Sequence, residues 1–176
     1  MKDNKHHISY FRNFIFGVED SLVSTVGLLS GIAIANIPRQ EIFLTGVVLI
    51  FVEAFSMGAG SYLSEYSAKR YERDDNTSDD HSFFSGVIMF FSYFFSGFIP
   101  LFPYLIWEID TALPISVFLS IFFLFILGVI GAKISNISII RNGLRIAVIG
   151  GIAIMIGLSA GLILSEFTNN YSSLFF

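Results

Sequence analysis

Five stretches of the chain, Phe14 to Ala35, Ile42 to Tyr66, Phe83 to Trp107, Leu113 to Ile134 and Leu144 to Ser165, are apolar over enough residues to cross a bilayer. The hydrocarbon to be spanned is about 30 Å, at a helical rise of about 1.5 Å per residue. A soluble domain of 176 residues has no core large enough for a chain that is 54% hydrophobic and only 14% charged. The fold class is therefore an all-α integral membrane protein with five transmembrane helices, in a single domain spanning residues 1–176. Only short polar breaks separate the stretches, Asn36 to Glu41, Ser67 to Ser82, Glu108 to Ala112 and Ser135 to Gly143. Links this short place sequential helices side by side in an up-and-down bundle. The 21 Phe residues suit surfaces that face acyl chains.

The basic residues give an independent test of the number of crossings. Lys2, Lys5 and Arg12 precede the first stretch, Lys69, Arg70 and Arg73 follow the second, and Lys133, Arg141 and Arg145 bracket the fourth break. With five crossings all of these fall on one side, and only Arg39 falls on the other. The positive-inside rule then puts the N-terminus in the cytosol and the C-terminus outside. Tyr104 and Trp107 are expected at the outer interface of the third helix, and Tyr66 and Tyr71 at the inner end of the second. The first stretch is too long for a signal-peptide core, contains two acids and lacks a small-residue cleavage site, so it is expected to stay as a signal anchor. With no targeting extension in view, a prokaryotic plasma membrane is the expected location.

Against this apolar background, Glu19 and Asp20 lie inside the first stretch and Glu53 and Met57 inside the second. A carboxylate at the centre of a membrane helix costs about 2.5 to 3.5 kcal/mol even on the lenient insertion scale, and no Lys or Arg lies in the interior of a span, away from its ends, to neutralise these. That points to an imported cation, a metal ion or a proton. Residues at i, i+3, i+4, i+7 and i+11 share a helix face. From Asp20 the face runs through Ser24, Gly27 and Gly31, a polar and close-packing seam. Glu19 is rotated by about 100°, towards a helix neighbour or a subunit interface. On the second helix Glu53, Ser56, Met57, Gly60 and Ser64 share a stripe, with Glu65 at its cytosolic end. On the third, Ser85, Met89, Ser92 and Ser96 share an uncharged face. The fourth is apolar nearly all round, as a lipid-facing element would be.

Cysteine is absent, so any metal site is built from oxygen, imidazole or thioether. Carboxylates alone suit Mg, Ca and Mn. Adding the Met57 sulfur favours Fe(II) or Mn(II), with zinc and cobalt still open. Met57 has a second reading, as a packing filler. The spacings Gly27-x-x-x-Gly31 and Gly157-x-x-x-Gly161 permit close helix approach, either within one bundle or in a homodimer through the first helix. The acidic stretch Tyr71 to His81, part of a short cytosolic loop 67–82, reads as a solvated segment or as a weak collector of divalent cations. His6, His7 and His81 lie outside the five stretches, and no nucleophile and base share a face, so an intramembrane enzyme is disfavoured. No nucleic-acid patch is visible.

Arg12 to Ala33 (RNFIFGVEDSLVSTVGLLSGIA), Val52 to Glu65 (VEAFSMGAGSYLSE) and Ser138 to Gly157 resemble, respectively, the two signature helices and the last helix of the vacuolar iron transporter family. The resemblance implies a homodimeric five-helix carrier that moves Fe(II), and often Mn(II), out of the cytosol in exchange for protons. The metal would be transported cargo and not a resident cofactor. By that resemblance Asp20 and Met57 line the translocation route, with Glu53 and Glu65 in or beside the second motif. Ser21 stands where a Gly commonly follows the Asp, and the long Glu- and Met-rich cytosolic insert of iron-storing members is missing. The expectation is a proton-coupled exporter of divalent metal using Asp20, Glu53, Met57, Glu19 and Glu65. The alternative is a non-transporting membrane scaffold or assembly factor whose buried acids pair with a partner helix.

Overall fold

The computed structural model describes residues 2–35, 37–72 and 79–175. Within them all regular structure is α-helical: α1 (Lys2–Ile34), α2 (Arg39–Glu72), α3 (Asp79–Ile106), α4 (Ile109–Ile134) and α5 (Ile139–Phe175). All five are long and apolar enough to cross a membrane. Helices are the natural outcome, because a chain in hydrocarbon must satisfy every backbone N–H and C=O from within. They overrun the apolar stretches at their polar ends. α2 continues to Glu72, where Lys69 and Arg70 complement the carbonyl end of the helix dipole and the Arg70 guanidinium sits 4.9 Å over the Tyr66 ring. α3 begins at Asp79, so His81 belongs to its first turn, where it is buried and stacked on Tyr10 at a ring distance of 4.8 Å. Of the acidic stretch Tyr71 to His81, residues 73–78 lie outside the described part, as do the side chains of residues 2–7.

α1 touches all four other helices, while α2 packs chiefly on α3 and α4 chiefly on α5. Glycine decides the closest of these approaches. A Cβ added to Gly157 would lie 2.9 Å from Gly27 Cα, and one added to Gly161 would lie 2.5 Å from Gly31 Cα. The two Gly-x-x-x-Gly segments therefore pack against each other inside one chain, α1 on α5, and this glycine face is not free to join two copies.

α4 is not apolar all round. Ala112, Ser116, Ser120, Leu124, Leu127, Gly128 and Ala132 form a buried stripe of mostly small residues that seats it against its neighbours. It ends with Asn136 in the left-handed region (φ 53°), the Ile137 N–H reaching back to the Ala132 carbonyl at 3.0 Å. Asn is one of the few residues that adopts this terminating conformation at little cost. Tyr104, expected at the outer interface, is instead fully buried. It joins Leu29, Ala33, Ile42, Ile50, Leu101 and Ala112 in the apolar cluster that closes the end of the bundle remote from the N-terminus. Most of the large exposed side chains are Phe, Ile and Leu, as on a surface bathed in lipid.

Candidate functional site

At the N-terminal end of the bundle three helices are tied by polar side chains. Arg12 Nη2 lies 3.3 Å from Glu65 Oε1, and the Ser9 hydroxyl donates to the same oxygen, linking α1 to α2. Glu65, expected to receive metal, is thus held by a guanidinium and a hydroxyl. About one turn deeper, the Asn13 amide donates to Ser61 Oγ at 3.0 Å and to Ser85 Oγ, so α1, α2 and α3 meet at one level. Asn13 and Ser85 are both buried, and a buried amide of this kind is stable only when its donors are used.

This knot fixes the depth of the acids. Asp20 lies seven residues beyond Asn13 on α1, about 10 Å along the axis, and Glu53 lies eight residues from Ser61 on the antiparallel α2, about 12 Å in the same direction. The two carboxylates accordingly reach one depth near the middle of the bundle, within electrostatic range of each other across the α1–α2 boundary. Glu19 interacts with Asp20 from the same turn. Met57 lies one turn nearer the N-terminal end than Glu53, half-buried like it. Glu65, three turns from Glu53, is about 18 Å away along α2 and does not join the group.

Asp20 sits on a stripe of α1, Phe16, Asp20, Ser24 and Leu28, that the chain leaves half-buried or exposed. The corresponding stripe of α2 is similarly open. Glu53 and Met57 are half-buried, Gly60 has nothing within 4 Å of where a Cβ would be, and Ser64 is exposed. Together they form an outward-open stripe along α2 that the chain itself does not cover. Along the bundle axis, the Asn13 knot lies on one side of the acids and the apolar cluster of Leu101 and Leu29 on the other.

α3 contributes a residue that pattern reading overlooked. Tyr93 is fully buried, its hydroxyl is 2.7 Å from Ser24 Oγ, and it lies within electrostatic range of both Asp20 and Glu53. Its backbone carbonyl accepts the Ser21 hydroxyl at 2.7 Å. In the run FSYFFSGF a tyrosine looks like one more aromatic for lipid. The available signal was its place one residue after Ser92, next to the polar face of α3. Met89 is buried with its sulfur 3.1 Å from where a Gly17 Cβ would sit, packed against α1 and away from the open stripe.

The assembled donors are carboxylate, hydroxyl and thioether, without a basic group among them. Among the described residues of one chain, no three carboxylate or imidazole groups converge as a metal-binding cluster. Five apolar helices long enough to span a bilayer, with carboxylates from α1 and α2 at mid-depth, define an integral membrane protein. A sequence profile of the VIT family, the vacuolar iron transporters, matches residues 11–84 and 71–162. The chain belongs to that family of membrane metal-ion transporters. No curated protein matches the chain.

Proposed function

We propose that the protein exports Fe(II) or Mn(II) across the membrane in exchange for protons, with Asp20, Glu53 and Met57 holding the ion at mid-depth. The observation that carries this reading is the meeting of Asp20 and Glu53 at one level of the bundle, with a thioether one turn away and no internal cation to neutralise them. Two carboxylates in a low-dielectric setting repel each other and are poorly solvated, so the pair favours either a divalent cation or protons. Metal and proton compete for the same oxygens, which is the physical basis of exchange. The thioether tips selection towards softer divalent ions and away from Mg and Ca. The basic end of the bundle lies in the cytosol, and the metal moves from there along the Gly60 and Ser64 side of α2 to the acids.

The functional unit is a homodimer through α1. Its contact is the open stripe Phe16, Asp20, Ser24 and Leu28, since Gly27 and Gly31 are already occupied by α5. A second copy would cover the outward-open stripe of α2 and double the set of carboxylates. Because the chain has no cysteine, a single Leu28→Cys is a clean probe, and oxidation is expected to give a disulfide-linked dimer, whereas Ile140→Cys on the exposed side of α5 is not.

The transport reading is tested in proteoliposomes containing a pH dye, offered Fe(II), Mn(II), Zn(II) and Co(II) in turn. Wild-type protein is expected to move Fe(II) or Mn(II) with opposite proton movement. Asp20→Asn and Glu53→Gln are expected to abolish it, and Met57→Leu to shift selectivity from Fe(II) towards Mn(II). Metal flux unchanged in Asp20→Asn and Glu53→Gln would refute the proposal.

A further inference from the structure

The turn between α4 and α5 gathers cations and no acids. Lys133 lies in the last turn of α4, and Arg141 and Arg145 lie in the first two turns of α5, all three exposed. Gly128 packs on Gly143, which sets the register of the two helices. Counted from that contact, Lys133 is five residues towards the N-terminal end of the bundle, Arg141 two residues the same way, and Arg145 two residues the other way. The three charges therefore fall within about 11 Å of one another along the bundle axis. From Thr111 to Ser165 the chain contains no Asp or Glu. Among the described residues no carboxylate pairs with any of the three. The acids at this end whose side chains are described, Glu65 and Asp80, belong to α2 and α3, whereas α5 packs on α4 and α1. Glu65 is in any case already held by Arg12 and Ser9.

The surroundings of these cations are apolar. Ile134, Ile137, Ile139 and Ile140 are all exposed beside them, which suits a turn seated in the interfacial layer of a bilayer and not one standing in open water. The outward face of α5 then continues from the charges towards the hydrocarbon. Arg141, Arg145, Val148, Ile152 and Met155 follow one another at intervals of four, three, four and three residues, and so share one exposed stripe. Where the stripe borders α4 a groove opens, lined by Val117 and Ile121 from α4 and by Val148, Gly151, Ile152 and Met155 from α5. Gly151 keeps it open, with nothing within 4 Å of where a Cβ would lie.

A cluster of cations leading into an apolar groove is complementary to a molecule with an anionic head and an apolar tail. We infer that the α4–α5 hairpin binds an anionic phospholipid, its headgroup phosphate on Lys133, Arg141 and Arg145 and one acyl chain in the groove between the helices. Arg141 and Arg145, four residues apart on one face, offer guanidinium forks to the phosphate oxygens, and the Lys133 ammonium adds a compact charge from α4. A free phosphate ion would use the cations alone and leave the groove empty of purpose. The lipid joins α4 to the outer side of α5, whose inner side already rests its glycines on α1. None of this depends on which ion the protein carries.

The test is native mass spectrometry of the full-length protein released from detergent and titrated with dioleoyl phosphatidylglycerol, with dioleoyl phosphatidylcholine, or with glycerol phosphate, the soluble headgroup. Phosphatidylglycerol is expected to bind most tightly, and glycerol phosphate to compete poorly against it. A basic residue at the membrane surface contributes about fivefold to the attraction of anionic lipid. Replacing all three cations together, as Lys133→Gln, Arg141→Gln and Arg145→Gln, should therefore erase a preference of roughly a hundredfold for phosphatidylglycerol over phosphatidylcholine. Because these side chains are exposed, the fold should survive the change. Arg12→Gln removes an exposed charge at the same end of the bundle, but from α1, and should leave the preference within about twofold of wild type. Gly151→Leu, which fills the groove, should weaken both lipids alike and leave the preference between them. Equal affinity of wild-type protein for the two lipids would overturn the proposal before any substitution is made. Retention of the preference in the triple variant, its loss in Arg12→Gln, or full competition by glycerol phosphate would overturn it as well. So would lipid binding unchanged in Gly151→Leu, or a dimer dissociated by that substitution, since the groove would then hold no lipid or a second copy of the chain.

Discussion

Gly161→Ala gives a direct measure of how α5 is held on α1. The added methyl would lie 2.5 Å from both the Cα and the carbonyl oxygen of Gly31, where ordinary contact begins at 3.4 Å. The atoms in the way are backbone, so no side chain can rotate aside, and the helices must separate locally by about 1 Å. Overpacking of this kind costs about 1–3 kcal/mol. For a chain of this size that is a fall in melting temperature of about 2–4 °C per kcal/mol. Gly31→Ala meets the Gly157 carbonyl at 3.2 Å and should cost less, while Gly60→Ala meets nothing within 4 Å and should be neutral or slightly stabilising. The assay is thermal unfolding in detergent, followed by size-exclusion recovery or by the fluorescence of the single tryptophan, Trp107. Equal losses for Gly161→Ala and Gly60→Ala would refute the reasoning. So would a Gly161→Ala penalty that changes with protein concentration, since that would place the contact between chains.

Asn13→Ala strands the buried Ser85 hydroxyl and is expected to destabilise by about 1–3 kcal/mol in the same melting assay. Arg12→Ala removes a guanidinium that is 72% exposed, so its cost should stay under about 1 kcal/mol, and raising the salt concentration should erase the difference from wild type. Mn(II) binding should weaken as pH falls, because only ionised carboxylates bind the ion, by up to about tenfold per pH unit for each proton displaced. Calorimetry in two buffers of different ionisation enthalpy counts those protons, and an affinity independent of pH would count against shared oxygens.

The five helices were legible because periodicity and length in lipid leave few alternatives, and the acids stood out because charge in an apolar run is so costly. The companions of those acids were hidden. Asn13 finds Ser61 and Ser85 at sequence separations of 48 and 72 residues, and no local spacing announces such a pairing. Tyr93 and Tyr104 look like aromatic residues for lipid or interface until the fold brings serines from α1 and α4 to their hydroxyls. The small residues of α4 were masked by the hydrophobicity of the whole helix, since serine bonded to its own backbone, as Ser120 is to the Ser116 carbonyl, behaves as an apolar packing residue. The role of the glycine spacing could not be decided from sequence, because a motif states that a helix can be approached closely and leaves the identity of the visitor open.

The α1–α5 contact also has a mechanical consequence. Two helices that meet backbone to backbone have no interlocked knobs to climb over, so displacement along their shared axis meets a smoother surface than it would between leucine ridges. α1 is fastened at its other end by the amide of Asn13. It is also held in its middle by Ser21 and Ser24 on Tyr93 and at its far end by Leu29 and Ala33 in the apolar cluster, so any sliding at this smooth contact belongs to α5.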